Sequence, residues 1–185
     1  MVAKQGAGAY LGGTGTWNSR RGNEKNKIYL PFVPYPNSHS ASNWLGLPND
    51  GDEVNSKRVK LLEKILDMPI GWSIMDSPDF QEEEKLKYLV EGMKLYMQAG
   101  VDFLEINESC PNTSHGRSQD DNMTHRLKYI KEQFLDHRIR RLPVVVKFSN
   151  DTETKQLPAL LDIIFELGYD GVNFGNTSID YARRK

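Results

Sequence analysis

The chain has 185 residues, 24 Lys and Arg against 25 Asp and Glu, and 38% hydrophobic residues. That size and apolar content suit one domain with its own core, and the near-neutral balance excludes the global field that would draw in nucleic acid or an anionic membrane. No apolar run approaches a membrane span and Met1 to Gly6 has no apolar signal core, so the chain reads as cytoplasmic with a small-molecule ligand.

Gly6 to Trp17, GAGAYLGGTGTW, mixes five glycines with β-formers. Two readings stay open: a strand running into a turn where backbone nears a ligand, or a flexible start. No Lys-Ser or Lys-Thr follows the glycines, which excludes a P-loop, and the dinucleotide fingerprint is not matched. Arg20-Arg21-Gly22-Asn23 and the proline-rich Leu30 to Asn37 predict a long excursion without regular structure. It leads to Asn43 and the turn Gly46-Leu47-Pro48-Asn49-Asp50-Gly51.

From about Asp52 the pattern becomes periodic. Leu61, Leu62, Ile65 and Leu66 predict a helical face, and Met68-Pro69 ends it before a strand over 70–75. Ser77 reads as an N-cap and Pro78 as the first-turn proline of a helix built on Leu86, Leu89, Val90, Met93 and Met97, which Gly100 stops. The Glu82-Glu83-Glu84 run answers the helix dipole and is not a metal site, and the methionines fill core.

Val101 to Ile106 predicts a buried strand followed by Asn107, Cys110 and Asn112 at its carboxyl end, where parallel sheets present their ligands. Cys110 is the only cysteine, so it forms no internal disulfide. A polar, reactive triplet there is a candidate site, although a buried structural cysteine between ordinary turn formers would look the same. His115 reads as a surface residue, because no second His or Cys stands at metal spacing beside it.

Leu127, Ile130 and Phe134 mark another helix. The β-branched strand over 143–148 carries Lys147 at its far end, which on its own reads as a lysine snorkelling to solvent. A helix from about Thr154 to Leu167 rests on Leu157, Leu160, Leu161, Ile164 and Phe165 and stops at Gly168. The next strand, 171–176, ends at Asn176-Thr177.

Strand and helix alternate, with short connections that force parallel strands and right-handed crossovers. A doubly wound sheet and a (β/α)8 TIM-barrel both satisfy this. Polar groups at four or more successive strand ends favour the barrel, because an open sheet gathers its ligand contacts at one switch point. Only about five of the eight strand–helix units can be counted, and a whole barrel runs to about 250 residues, so 1–185 reads as one partial TIM-barrel domain.

The stretches GAGAYLGGTGT, RRGN, NWLGLPNDG, LEINESCPNT, VVVKFSND and VNFGNTS occur in the order and at roughly the spacing found in dihydroorotate dehydrogenases, and the chain resembles that family of FMN flavoenzymes over nearly its whole length. The resemblance implies that Cys110 is the base that takes a proton from C5 of dihydroorotate while a hydride leaves C6 for FMN. Cysteine at that position resembles the soluble, dimeric class, which implies a homodimer. Asn43, Asn107, Asn112 and Asn176 would hold the pyrimidine and its carboxylate, with Gly46, Leu47 and Thr177 beside them. Gly13, Thr14, Ser73, Asn107, Lys147 and Asn176 would contact the flavin, Lys147 at its N1 and O2 edge. Thr113 to Thr124 matches a mobile lid over the substrate.

Two departures accompany the resemblance. No lysine lies in the Gly12-Gly13 turn, where the soluble class carries a substrate contact. The family's first strand and last two strands are not matched, nor are the late glycine-rich loops that bind the flavin phosphate. Rival readings are therefore an inactive fragment or pseudoenzyme acting as a binding subunit, and a tRNA-dihydrouridine synthase, which shares an Asn-x-x-Cys-Pro turn. GLPNDG, Asn112 and the lack of a basic stripe argue against the latter.

Overall fold

The computed structural model describes residues 5–23, 31–62, 68–109 and 121–178. In chain order it contains β1 (Tyr10–Gly15), β2 (Phe32–Tyr35), β3 (Ser40–Asn43), α1 (Asp52–Leu62), β4 (Ile70–Ile74), α2 (Glu82–Ala99), β5 (Phe103–Asn107), α3 (Asp121–Gln133), β6 (Val144–Phe148), α4 (Leu157–Glu166) and β7 (Gly171–Phe174).

Five strands form one parallel sheet in the order β1-β4-β5-β6-β7. Each strand lies beside its predecessor in this series, so among the described residues the order never reverses and there is no switch point. That excludes the doubly wound alternative and gives the progression of a barrel wall. The glycine-rich start resolves as β1, which joins the sheet against β4.

The register sorts side chains onto two faces. Ile70, Ile74, Leu104, Ile106, Val144, Val146 and Phe148 point to one of them and are almost wholly buried. They pack with Leu89, Val90, Met93 and Tyr96 of α2, Leu127 and Ile130 of α3, and Ile164 of α4. Each such side chain contributes about 1.5–3 kcal/mol when removed from water, so stability is concentrated on this outer face. The inner face is left for polar groups.

Several expectations need correction. The helix after β4 begins at Glu82 with Gln81 as N-cap, not at Ser77. Ser77 to Phe80 is instead a turn closed by Phe80 N–H to Ser77 O, where Phe80 packs on Tyr88 (4.5 Å between ring centroids) and Tyr88 stacks on Trp17 (5.0 Å). Aromatic packing thus overrides the local cap signal. The excursion expected to be irregular contains the antiparallel hairpin β2–β3, whose tight connection places His39 at φ +48°. Most of the hairpin is exposed, so its sequence lacks the alternation that burial imposes. Leu61 is 63% exposed and Phe165 64%; α1 packs through Val59, Ser56 and Asn55 instead, and α4 through Leu160 and Ile164. Ile65 and Leu66 lie outside the described residues.

Candidate active site

On the inner face, Ser73 of β4, Glu105 of β5, Val145 of β6 and Gly171 of β7 stand side by side in one row. One step nearer the carboxyl ends comes a second row, Asn107, Lys147 and Asn173. Period-two alternation places residues 105 and 107 on the same face of β5, while 104 and 106 supply the core.

Hydrogen bonds join these rows into one network. Ser73 Oγ donates to Glu105 Oε1 (2.8 Å), Asn173 Nδ2 to Glu105 Oε2 (2.6 Å) and Asn107 Nδ2 to Thr14 Oγ1 (3.0 Å); Thr14 and Ser73 hydroxyls lie 3.1 Å apart. Asn107 Oδ1 accepts from both the backbone N–H (3.1 Å) and the hydroxyl (2.9 Å) of Ser109. Asn176 Nδ2 donates to Ser109 O and Oγ, Asn176 Oδ1 accepts from Thr177 N–H, and Asn43 Nδ2 donates to Thr177 Oγ1 (2.8 Å). Asn43, far away in sequence on the hairpin, is thereby tied to the loop after β7.

Of the residues singled out from sequence, Thr14, Ser73, Asn107, Asn176, Thr177 and Asn43 belong to this network. Gly13 adjoins it: at φ +113°, a Cβ there would lie 2.4 Å from Ser73 O. Gly13→Ala is expected to push β1 away from β4 and to cost about 2 kcal/mol, measurable by urea unfolding. Lys147 sits between Asn107 and Asn173 and is half-buried, and its ammonium makes no hydrogen bond or ion pair with any described residue. Gly46 (φ +70°) and Leu47 (φ +62°) form the turn after the hairpin, where Leu47 packs on Met75; neither bonds to the strand-end network. Cys110 and Asn112, and the segment 113–120 of the expected lid, lie outside the described residues.

Sequence reasoning missed Glu105, Asn173 and Ser109. Alternation along β5 and β7 was the available signal for the first two, since it puts them on the face of Asn107 and Lys147. It also missed the clamp on the turn after β5. Arg126 of α3 donates to Glu108 through Nη2 (2.6 Å to Oε2) and Nε (3.3 Å to Oε1), and Glu108 N–H donates to Lys147 O (3.0 Å). Glu108 is only 4% exposed. Arg126→Met strips the guanidinium from this carboxylate and is expected to cost about 3 kcal/mol in urea unfolding, with much of the loss recovered in Arg126→Met/Glu108→Leu.

Among the described residues the two rows offer neutral amides, hydroxyls, one ammonium and the buried Glu105 carboxylate, a polar set suited to a flat, multiply hydrogen-bonding ring. Among the described residues no group of His, Cys, Asp and Glu is placed to hold a metal, and no helix is long and apolar enough to cross a membrane.

Comparison with known proteins agrees with this architecture. A solved protein of Burkholderia cenocepacia J2315, described as a candidate phosphonomutase, superposes with a TM-score of 0.56 at 15% identity over 96% of this chain and 64% of its own, a likeness of fold alone. The dihydroorotate dehydrogenase (quinone) of Pseudoalteromonas atlantica is 28% identical over 99% of this chain and 54% of its own length. That of Dichelobacter nodosus is 29% identical over 91% and 50%. The chain thus spans about half the length of the curated relatives it matches. The family model described as Dihydroorotate dehydrogenase matches residues 1–184, and with the parallel barrel wall and its polar strand ends this shows that the chain belongs to the dihydroorotate dehydrogenase family.

Proposed function

We propose that this chain carries the catalytic strand ends of an FMN-dependent dihydroorotate dehydrogenase, oxidising dihydroorotate to orotate. The observation that carries the reading is the second inner row. Asn107 and Asn173 flank Lys147, whose ammonium has no partner among the described residues, and each amide keeps an N–H without a described partner. A half-buried ammonium between two amides with free N–H groups suits an electron-rich ring edge, so these residues fit a flavin.

When bound, FMN supplies the acceptor for the hydride from C6. Gly13, Thr14, Ser73, Asn107, Lys147 and Asn176 would hold it, and the Lys147 ammonium would offset the negative charge gathering at its N1 and O2 edge. Cys110 takes the proton from C5. Asn43, Asn107, Asn112 and Asn176 orient the planar substrate, with Thr177, Gly46 and Leu47 alongside. A carbon acid beside a carbonyl needs a base held in place, and a thiolate serves near neutral pH when its surroundings favour the anion. The relatives named above are quinone enzymes, so assignment to the cysteine-base class rests on residue 110.

The test is an absorbance titration of the purified chain with FMN, followed by anaerobic addition of dihydroorotate. Bound flavin that bleaches is the expected result. Bound flavin that does not bleach defeats the proposed reaction, and no binding defeats the flavin reading for this chain.

A further inference from the structure

Glu105 is a carboxylate only 1% exposed, held on the inner face directly below the row that faces the ligand. The chemistry proposed above gives it no task. Burying a carboxyl without a function is expensive, and here both of its oxygens are taken by donors from strands on either side, Ser73 of β4 and Asn173 of β7.

A carboxylate accepts and cannot donate, so it imposes a direction on each neighbour. The single hydroxyl proton of Ser73 goes to Glu105 Oε1, and the contact between Thr14 and Ser73 is therefore donated by Thr14. Thr14 Oγ1 is then left to accept from Asn107 Nδ2. At the far end of this chain the Ser109 backbone N–H, which can only donate, requires Asn107 Oδ1 to face it. Both ends demand the same sense, and the orientation of Asn107 is fixed twice over.

Asn173 has no such second restraint. Its amide nitrogen is turned toward Glu105 by the carboxylate alone, and its Oδ1 has no partner among the described residues, on an exposed residue beside Lys147. We propose that Glu105 is a positioning residue that sets ligand specificity through Asn173: it keeps Asn173 Oδ1 outward, so that the row Asn107, Lys147, Asn173 offers donor, donor, acceptor to an imide edge, a carbonyl next to a ring N–H. This rests on the flavin and pyrimidine reading of the face. Both the flavin and dihydroorotate carry such an edge.

Glu105→Gln keeps the shape and exchanges one acceptor for a donor. Facing Ser73, the Gln nitrogen would turn the Ser73 proton onto Thr14 Oγ1 and strip the Thr14 hydroxyl of its acceptor in the network; facing Asn173, it leaves that chain intact and turns the Asn173 amide over, Oδ1 inward. The experiment uses the full chain with two readouts. In ligand-free protein, the side-chain amide NMR signals of Asn173 shift in Glu105→Gln while those of Asn107 stay. An unmoved Asn173, or a reoriented Asn107, overturns the proposal.

The second readout compares FMN with 3-methyl-FMN, and dihydroorotate with its N3-methyl analogue, by binding titration. Methylation is expected to weaken binding of one of the two about tenfold or more in the wild type, which identifies the source of the edge, and to have almost no effect in Glu105→Gln. Wild-type protein that binds a parent ligand and its methyl analogue equally in both pairs overturns the proposal. Should Glu105→Gln fail to fold, Asn173→Ala at the exposed partner must abolish the same discrimination. If FMN does not bind at all, the flavin reading falls, while the amide signals still decide the role of Glu105.

Discussion

Cys110→Ala is expected to slow the bleaching of bound flavin by dihydroorotate about 10²–10⁴-fold near pH 7.5, the usual worth of a positioned base, without weakening FMN binding. The residues leading into position 110 are held on several sides. Ser109 gives both its N–H and its hydroxyl to Asn107 Oδ1, and its carbonyl and Oγ accept from Asn176. Glu108 is gripped by Arg126 and by Lys147 O. The chain is therefore anchored up to Ser109 at the carboxyl end of β5, beside the amides assigned to the substrate. Such anchoring is what a base needs, since effective molarity collapses with small displacements. Cys110→Ser keeps the size but replaces a thiol by an alcohol that is hardly ionised near neutrality, so its residual rate should climb with pH well beyond the range where the wild type levels off. Anaerobic stopped-flow at 450 nm measures both variants. Undiminished bleaching in Cys110→Ala would remove Cys110 from the chemistry and leave only the binding face.

The barrel wall was legible because each strand writes its burial into its composition. Val144, Val145 and Val146 are β-branched, and Leu86, Leu89, Val90, Met93 and Met97 repeat at helical spacing, so hydrophobic period alone locates β6 and α2. Strand ends were legible for the same reason, since polar residues follow each apolar run. What was not legible depends on partners distant in sequence. Glu105 looks like one more residue of a strand until Ser73, 32 positions earlier, and Asn173, 68 later, are seen to donate to it. Ser77 carries a correct local cap signal, and Phe80 packing on Tyr88 defeats it. The hairpin β2–β3 lies exposed and carries Pro34 in one strand, so neither alternation nor propensity marks it.

The other large effect lies outside the hydrogen-bonded network of the inner face, at Asp52. This first residue of α1 is 0% exposed, with one oxygen accepting from Tyr96 Oη (2.9 Å) and the other, Oδ2, unpaired among the described residues. Gly15 and Gly92 make room for it, because a Cβ at either would come within 2.5 Å of a carboxylate oxygen. Burial pushes its pKa up from the ordinary 3.8 to about 7, the Tyr96 hydrogen bond opposing only part of the rise. The folded protein thus holds a proton that the unfolded chain releases from about pH 4 upward. Stability is full below that pH, falls as pH rises toward 7, and is constant above it, where both states are ionised. At 1.36 kcal/mol per pH unit, the rise from 3.8 to about 7 corresponds to a loss of ~4 kcal/mol. Asp52→Asn has nearly the same shape and no charge to bury. It is expected to flatten the slope between pH 4 and 7 and to raise Tm at pH 8 on the order of 10 °C, for a domain of this size. Calorimetry of both proteins across pH 4 to 8 checks this, and parallel profiles would show that Asp52 is ionised throughout in the folded state.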